Sequence, residues 1–400
     1  MAQNSDVIVV GAGINGLLVS RMLIASGASV TLIEKHEVAR ESSWAGGGIV
    51  SPLYPWRYDA AVTALANWAQ AFYPQLAEEL LAETGIDVQL HACGLLMLDA
   101  PDQQQALVWA ATQGHTMLAC GCDSIYKKET ALAAGFESGL WMPQVGNIRN
   151  PRLCRALLAS LQKQPGFSLM TQAAVTGFMI SGSSISGVSV KTAGEAEVAH
   201  LFGSAIVITA GAWSQQLLEK LSLQTAIQPV KGQMLLYKFP KPPIESIILN
   251  QGKYLIPRQD GHLLVGSTLE YAGFDKTSTS PARQTLSHSA VAMLPALEKI
   301  EPVGQWAGLR PGSTGGVPYI GRLEPYSNFY INAGQFRNGL VLAPASARLT
   351  ADIVLGVEPE IDPAPYDLRA HRQDKSMGFE EKSASTQAPA PASSSDSIMT

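Results

Sequence analysis

The chemistry-bearing feature of this 400-residue chain is a glycine turn near its start. Gly11, Gly13 and Gly16 are spaced G-x-G-x-x-G, directly after an apolar run at 7–10 and before a helical stretch at 17–24. Each glycine has its own task in such a turn: Gly11 permits the tight reversal, Gly13 lets a diphosphate approach the backbone without meeting a Cβ, and Gly16 lets helix pack close on strand. The unpaired N–H groups and partial positive charge of the helix start then favour that diphosphate. A second apolar run, 29–33, ends at Glu34, eighteen residues past the last glycine, where an acidic side chain meets a ribose hydroxyl. The order of strand, turn, helix, strand and acid points to an ADP-bearing cofactor and argues against an ordinary turn with a surface glutamate. It does not separate FAD from NAD.

Other chemistries find little support. The seven histidines are scattered and no G-x-S-x-G nucleophile motif occurs, so no catalytic base or nucleophile is expected. Cys120 and Cys122 are one residue apart, too close for C-x-x-C spacing, and Cys93 and Cys154 stand alone. With no histidine pair beside them, free thiols and no metal are the expectation. The formal net charge is −5 with no basic stripe, which speaks against a nucleic-acid partner. The start has no basic segment followed by an apolar core and cleavage site. No apolar run reaches the roughly 18 residues that span a bilayer. A cytoplasmic protein with no membrane partner is expected.

The composition, 46% hydrophobic and 15% charged, is that of a well-buried globular protein, and the length calls for two joined domains. After Glu34, Ser42 and Ser43 precede Gly46, Gly47 and Gly48, three bare positions that imply a close backbone approach. Apolar residues at three- and four-residue steps predict a helix over 59–84, divided or kinked at Pro74. Helices are also expected at 103–111 and at 150–164, the latter with Asn150 as N-cap and Pro151 first in the helix. Strands are expected at 94–98, 168–171, 174–180, 184–190 and 205–210, then at 228–237, 246–249, 254–257 and 262–265. A helix at 281–294 precedes a closing strand-turn-helix unit, with a strand at 328–331 and a helix at 340–355. A chain that opens and closes with such units builds one nucleotide domain from discontinuous pieces. The expected class is α/β (α+β). About 1–90, 145–225 and 305–366 form the cofactor domain, 91–144 and 226–304 the substrate domain, and the Ala/Ser/Pro-rich 372–400 a disordered tail.

Four motifs together, DVIVVGAGING with Glu34, ESSWAGGG, WAGLRPGSTGGVPYIGR and GQFRNGLVLAPAS, resemble the FAD-dependent oxidases of the D-amino acid oxidase family, nearest to the bacterial glycine oxidases of thiamine biosynthesis. The resemblance runs from about residue 5 to residue 366. It implies a Rossmann-like FAD domain with a parallel sheet, a substrate domain with a large, mostly antiparallel sheet, and oxidative deamination of a small amino acid with dioxygen as acceptor. It implies a homotetramer or homodimer. For FAD it implies diphosphate contacts at Gly11, Gly13, Ile14, Asn15 and Gly16, and ribose at Glu34 beside Lys35. Ser42, Ser43, Gly47, Gly48 and Ile49 correspond to a loop along the diphosphate and flavin, and Val175 to a contact with adenine. Gln335, Phe336, Arg337, Asn338, Gly339, Leu340 and Val341 correspond to a turn whose helix points at the flavin. For substrate it implies that Arg310 grips the carboxylate with Tyr254 beside it, and that Arg337 adds a second arginine. In this family the flavin and orientation carry the reaction and no side chain is a catalytic base.

Two departures leave the substrate open. Some relatives have a histidine two residues before the tyrosine, where this chain has Gly252, and the loop containing Trp56, Arg57 and Tyr58 is rich in aromatics. Some relatives attach their flavin through a cysteine late in the chain; here no cysteine follows Cys154, so the resemblance implies non-covalent FAD. A D-amino acid dehydrogenase passing electrons to a quinone or other acceptor is the alternative activity. A tRNA-modifying flavoprotein is a third reading, opposed by the acidic balance.

Overall fold

The computed structural model describes residues 4–373. The chain opens with β1 (Asn4–Val10), α1 (Ile14–Ala25), β2 (Val30–Ile33), the one-turn α2 (Ser42–Ala45) and the long α3 (Ala60–Thr84). It continues through β3 (Leu95–Leu98), α4 (Gln103–Gln113), β4 (Leu118–Gly121), α5 (Cys122–Lys128) and β5 (Ser138–Met142). Next come α6 (Asn150–Leu161), β6 (Phe167–Met170), β7 (Ala173–Ser181), β8 (Ser184–Thr192), β9 (Val198–Ile208) and α7 (Ser214–Leu218). β10 (Gln228–Lys238), β11 (Ile247–Asn250), β12 (Lys253–Pro257), β13 (His262–Gly266) and α8 (Ser280–Met293) follow. The chain closes with β14 (Gly304–Gly312), β15 (Tyr319–Arg322), β16 (Phe329–Ala333), α9 (Gly339–Leu355) and α10 (Leu368–Gln373).

These strands form two eight-stranded sheets. In the first, the order β15-β16-β9-β1-β2-β6 is parallel apart from the edge strand β15. β1 is central, hydrogen-bonded on both sides, and Val7 to Val10 are buried on both faces, as a parallel strand requires. Helices α1, α3, α6 and α9 cover one face; the β7–β8 ribbon lies over part of the other. The second sheet, β14-β10-β13-β12-β11-β3-β5-β4, is antiparallel except for the pair β3–β11. The α8 residues Leu286, Ala290 and Met293 pack on it.

Residues 60–84 form one undivided helix with Pro74 inside it; Asp59 accepts from Ala61 N at 2.8 Å to start it and Gly85 at φ 71° ends it. Two other local readings are corrected. The cap of α6 is Arg149, and Asn150 is already helical, with its side chain used elsewhere. β9 begins at Val198 rather than Ala205: its first half pairs with β8 and alternates exposed residues with partly buried ones, so it lacks the continuous apolar run of 205–208. The expected tail lies outside the described residues, apart from Arg372 and Gln373 at the end of α10. Among the described residues no helix is long and apolar enough to cross a membrane. All four cysteines are free thiols, and burial pushes that of Cys154 up to about 12.

Candidate active site

The glycine turn has the strain its spacing predicts. Gly11 has φ 108°, and a Cβ on Gly16 would lie 2.0 Å from the Gly11 carbonyl oxygen. Thr209, at the end of β9, donates to that same oxygen at 2.7 Å and to Val10 O at 3.1 Å, locking the turn to the sheet. Glu34 holds the turn from the other side: its carboxylate accepts from Ala12 N at 2.8 Å and His36 N at 3.0 Å. Ser43 Oγ accepts from Ile14 N at 2.9 Å, bringing the loop after β2 against the start of α1.

Above the turn lies a cavity of about 450 Å³. Every cofactor or substrate residue singled out from the sequence lines it except Gly16, which is buried beneath the turn and serves its packing. The bare loop at 46–48 follows from protein-on-protein contact: a Cβ on Gly47 would lie 2.7 Å from Ile256 Cδ1, and one on Gly48 (φ 79°) would lie 2.1 Å from Ile148 O. Asn150 Nδ2 donates to Gly46 O at 3.1 Å, so this residue secures the loop instead of capping α6. Across the cavity, Asn338 stands at the N-terminus of α9 with its buried side-chain N–H group unpartnered; the Asn15 side-chain oxygen is likewise buried and unpartnered.

At the other end, side chains of the second sheet converge. Arg310 on β14 reaches across β10 at Gly232, where a Cβ would be 2.2 Å from its Nη1. It donates to Ser267 Oγ at 2.7 Å and Thr268 O at 3.2 Å. Tyr254 on β12 reaches across β13 at Gly266 in the same manner, and its hydroxyl contacts Met234 Sδ at 3.3 Å. Lys253 Nζ donates to Ser267 O at 2.9 Å. Exposed Arg337 completes the group. Among the described residues, no carboxylate lies within 4.0 Å of Arg310, Arg337 or Lys253. Desolvation, and then neighbouring arginines, push the Lys253 ammonium downward; desolvation also lowers Arg310, with Arg337 adding to it. Arg310 and Arg337, two lining cations without a counter-ion, make a receptor for an anion, Lys253 adds positive charge nearby, and the guanidinium fork matches a carboxylate. His36, beside the glycine turn, is the sole histidine of the lining. The aromatic loop is pinned beside this end: Trp56 Nε1 and the Arg57 fork donate to Asp102 at 2.6–2.7 Å, and Tyr54 Oη accepts from Gly252 N at 3.3 Å.

The family model described as DAO, FAD dependent oxidoreductase, matches residues 6–353. The chain belongs to this family. It is 50% identical over 360 residues to a glycine oxidase of Pseudomonas aeruginosa, covering 90% of this chain and 97% of the relative. It is 48% identical to a glycine oxidase of Pseudomonas putida over 91% and 98% of the two chains. The crystal structure of glycine oxidase from Geobacillus kaustophilus superposes with a TM-score of 0.85 at 28% identity, over 91% and 98% of the chains. The protein is an FAD-dependent amino-acid oxidase.

FAD fits the cavity wall on this chain's own features. The wall offers a glycine turn at a helix N-terminus, a second helix N-terminus across from it, and three side-chain amides, of Asn15, Asn150 and Asn338, each with a buried atom lacking a partner. Neither a cysteine nor a histidine of the second sheet lines it. Acid precipitation is therefore expected to release the yellow colour into the supernatant. Colour retained in the pellet would show a covalent link.

Proposed function

We propose that this oxidase deaminates glycine and small relatives, such as sarcosine and small D-amino acids, to the imine. Water then yields the 2-oxo acid and ammonia, and dioxygen is reduced to hydrogen peroxide. In the cell, iminoglycine would supply the thiazole of thiamine. Bound FAD supplies the two-electron acceptor. The observation that carries this reading is the Arg310 guanidinium, which faces the cavity without a carboxylate of the chain to neutralise it.

In this reading the Arg310 fork takes both carboxylate oxygens, the Tyr254 hydroxyl turns from its weak sulfur contact to one of them, and Arg337 adds positive potential. The turn at 11–16 would hold the diphosphate and Glu34 the ribose. The loop at 47–49 and the turn at 335–341 would hold the ring, and the N-terminus of α9 would favour negative charge on it. The substrate amine enters neutral, so no base is needed. Rate comes from holding Cα–H over the ring.

The test is a panel of glycine, sarcosine, D-alanine, D-proline and larger D-amino acids, read by peroxide release under air and by dye reduction under nitrogen. Peroxide release is expected with glycine and sarcosine. Turnover with dye alone would make the chain a dehydrogenase.

A further inference from the structure

Arg258 follows β12 behind the loop at 46–48 and is 7% exposed. Its Nη1 donates to Asn147 Oδ1 and to Ile148 O at 3.0 Å, and its Nη2 donates to Gly47 O at 2.9 Å. All three acceptors are neutral. Among the described residues no carboxylate lies within 4.0 Å of it; the acidic groups whose fields reach it are the Cys93 thiol, whose ionisation burial disfavours, and Asp260, which is bonded to Arg149 at 2.6 Å. The other buried cation, Lys231, differs: Asp275 lies 2.7 Å from its Nζ. Hydrogen bonds to amides satisfy a guanidinium without neutralising it, and an unneutralised buried ion is strongly unfavourable.

The geometry fixes the direction from which a negative charge can reach Arg258. Its Nη2 bonds Gly47 and lies 3.0 Å from the place a Gly48 Cβ would occupy, while Gly47, Gly48 and Ile49 line the cavity. One thickness of backbone separates the guanidinium from the cavity. The place of a Gly47 Cβ is 3.6 Å from the Tyr254 hydroxyl, so this is the substrate end and not the diphosphate end at Gly13.

We propose that Arg258 is the counter-charge of the reduced flavin, a cation held behind bare backbone that stabilises the anionic ring over the neutral oxidised one. The proposal rests on the ring lying beside 47–49, as placed above. Hydride transfer delivers two electrons and one proton to the ring and leaves it with one negative charge, while the amine becomes an iminium. A fixed positive field at that position favours the reduced side of the transfer without reorganisation.

Three holoenzyme variants test it. Arg258→Gln keeps donors and removes the charge, Asn147→Asp sets a carboxylate against the guanidinium, and Arg258→Lys keeps the charge. The readouts are equilibrium with a redox dye and the Kd for sulfite. In Arg258→Gln and Asn147→Asp the reduced-to-oxidised ratio at fixed dye potential is expected to fall about tenfold, about 30 mV for a two-electron couple, with Arg258→Lys within about threefold of the parent. The sulfite Kd should rise about tenfold in the two charge variants. An unchanged ratio in both, an equal fall in Arg258→Lys, or weaker FAD binding at an unchanged ratio overturns the proposal. Failure of both charge variants to hold FAD also overturns it, assigning Arg258 to the loop alone. A holoenzyme with the expected potentials that ignores glycine would instead refute the glycine reading.

Discussion

Arg310→Ala is expected to raise the KM for glycine about a hundredfold or more while FAD stays bound. Removing one partner of a desolvated, hydrogen-bonded ion pair costs about 2–5 kcal/mol, and about 2.7 kcal/mol is a factor of a hundred. The cost falls on the substrate because, among the described residues, Arg310 has no carboxylate partner: it donates to Ser267 and Thr268 and interacts with the Tyr254 hydroxyl. Arg310→Lys keeps the charge and loses the fork, so an intermediate rise of about tenfold is expected. Steady-state peroxide kinetics with glycine check both variants. An unchanged KM would remove Arg310 from the carboxylate role.

The second large effect is on the cofactor. Gly16→Ala is expected to weaken FAD binding at least about a hundredfold and to lower thermal stability by about 1–3 kcal/mol. The added methyl would stand 2.0 Å from the Gly11 carbonyl oxygen and 2.9 Å from Thr209 Oγ1. The first is backbone and cannot rotate away, so α1 must lift from β1 and carry the turn amides with it. Titration of the apoprotein with FAD, followed by quenching of flavin fluorescence, reads the loss directly. Binding at parental strength would mean that the turn tolerates a side chain there.

The glycine turn was legible because its sterics are local: backbone reversal at Gly11, and contact between Gly16 and Gly11, are set by residues five apart. The same holds for α3, whose apolar stripe, acidic cap and terminal glycine all lie within one segment. Asn150 was misread because its local pattern is that of a cap, whereas its partner, Gly46 O, is 104 residues away and meets it only when α6 packs on the loop. Ser267 and Lys253 escaped for a related reason. The antiparallel register of β12 and β13, which pairs Tyr254 with Gly266, brings them beside Arg310, and no short-range pattern encodes that pairing. Gly232 and Gly266 gave no signal either. Their role is to be bare where Arg310 and Tyr254 cross neighbouring strands. The edge strand β4 and its neighbour β5 are four and five residues long, too short for alternation to stand out.

The central claim, a guanidinium presenting a small amino acid to a bound flavin, is tested most directly by anaerobic titration of the holoenzyme with glycine, following the visible flavin band. The parent should bleach fully and return to yellow when air is admitted. Arg310→Ala, with the same FAD content, should need about a hundredfold more glycine for half-bleaching. Methylamine, which lacks the carboxylate, should bleach neither protein at glycine's working concentration. A parent that glycine leaves yellow, or a variant that bleaches along the parental curve, would contradict the account.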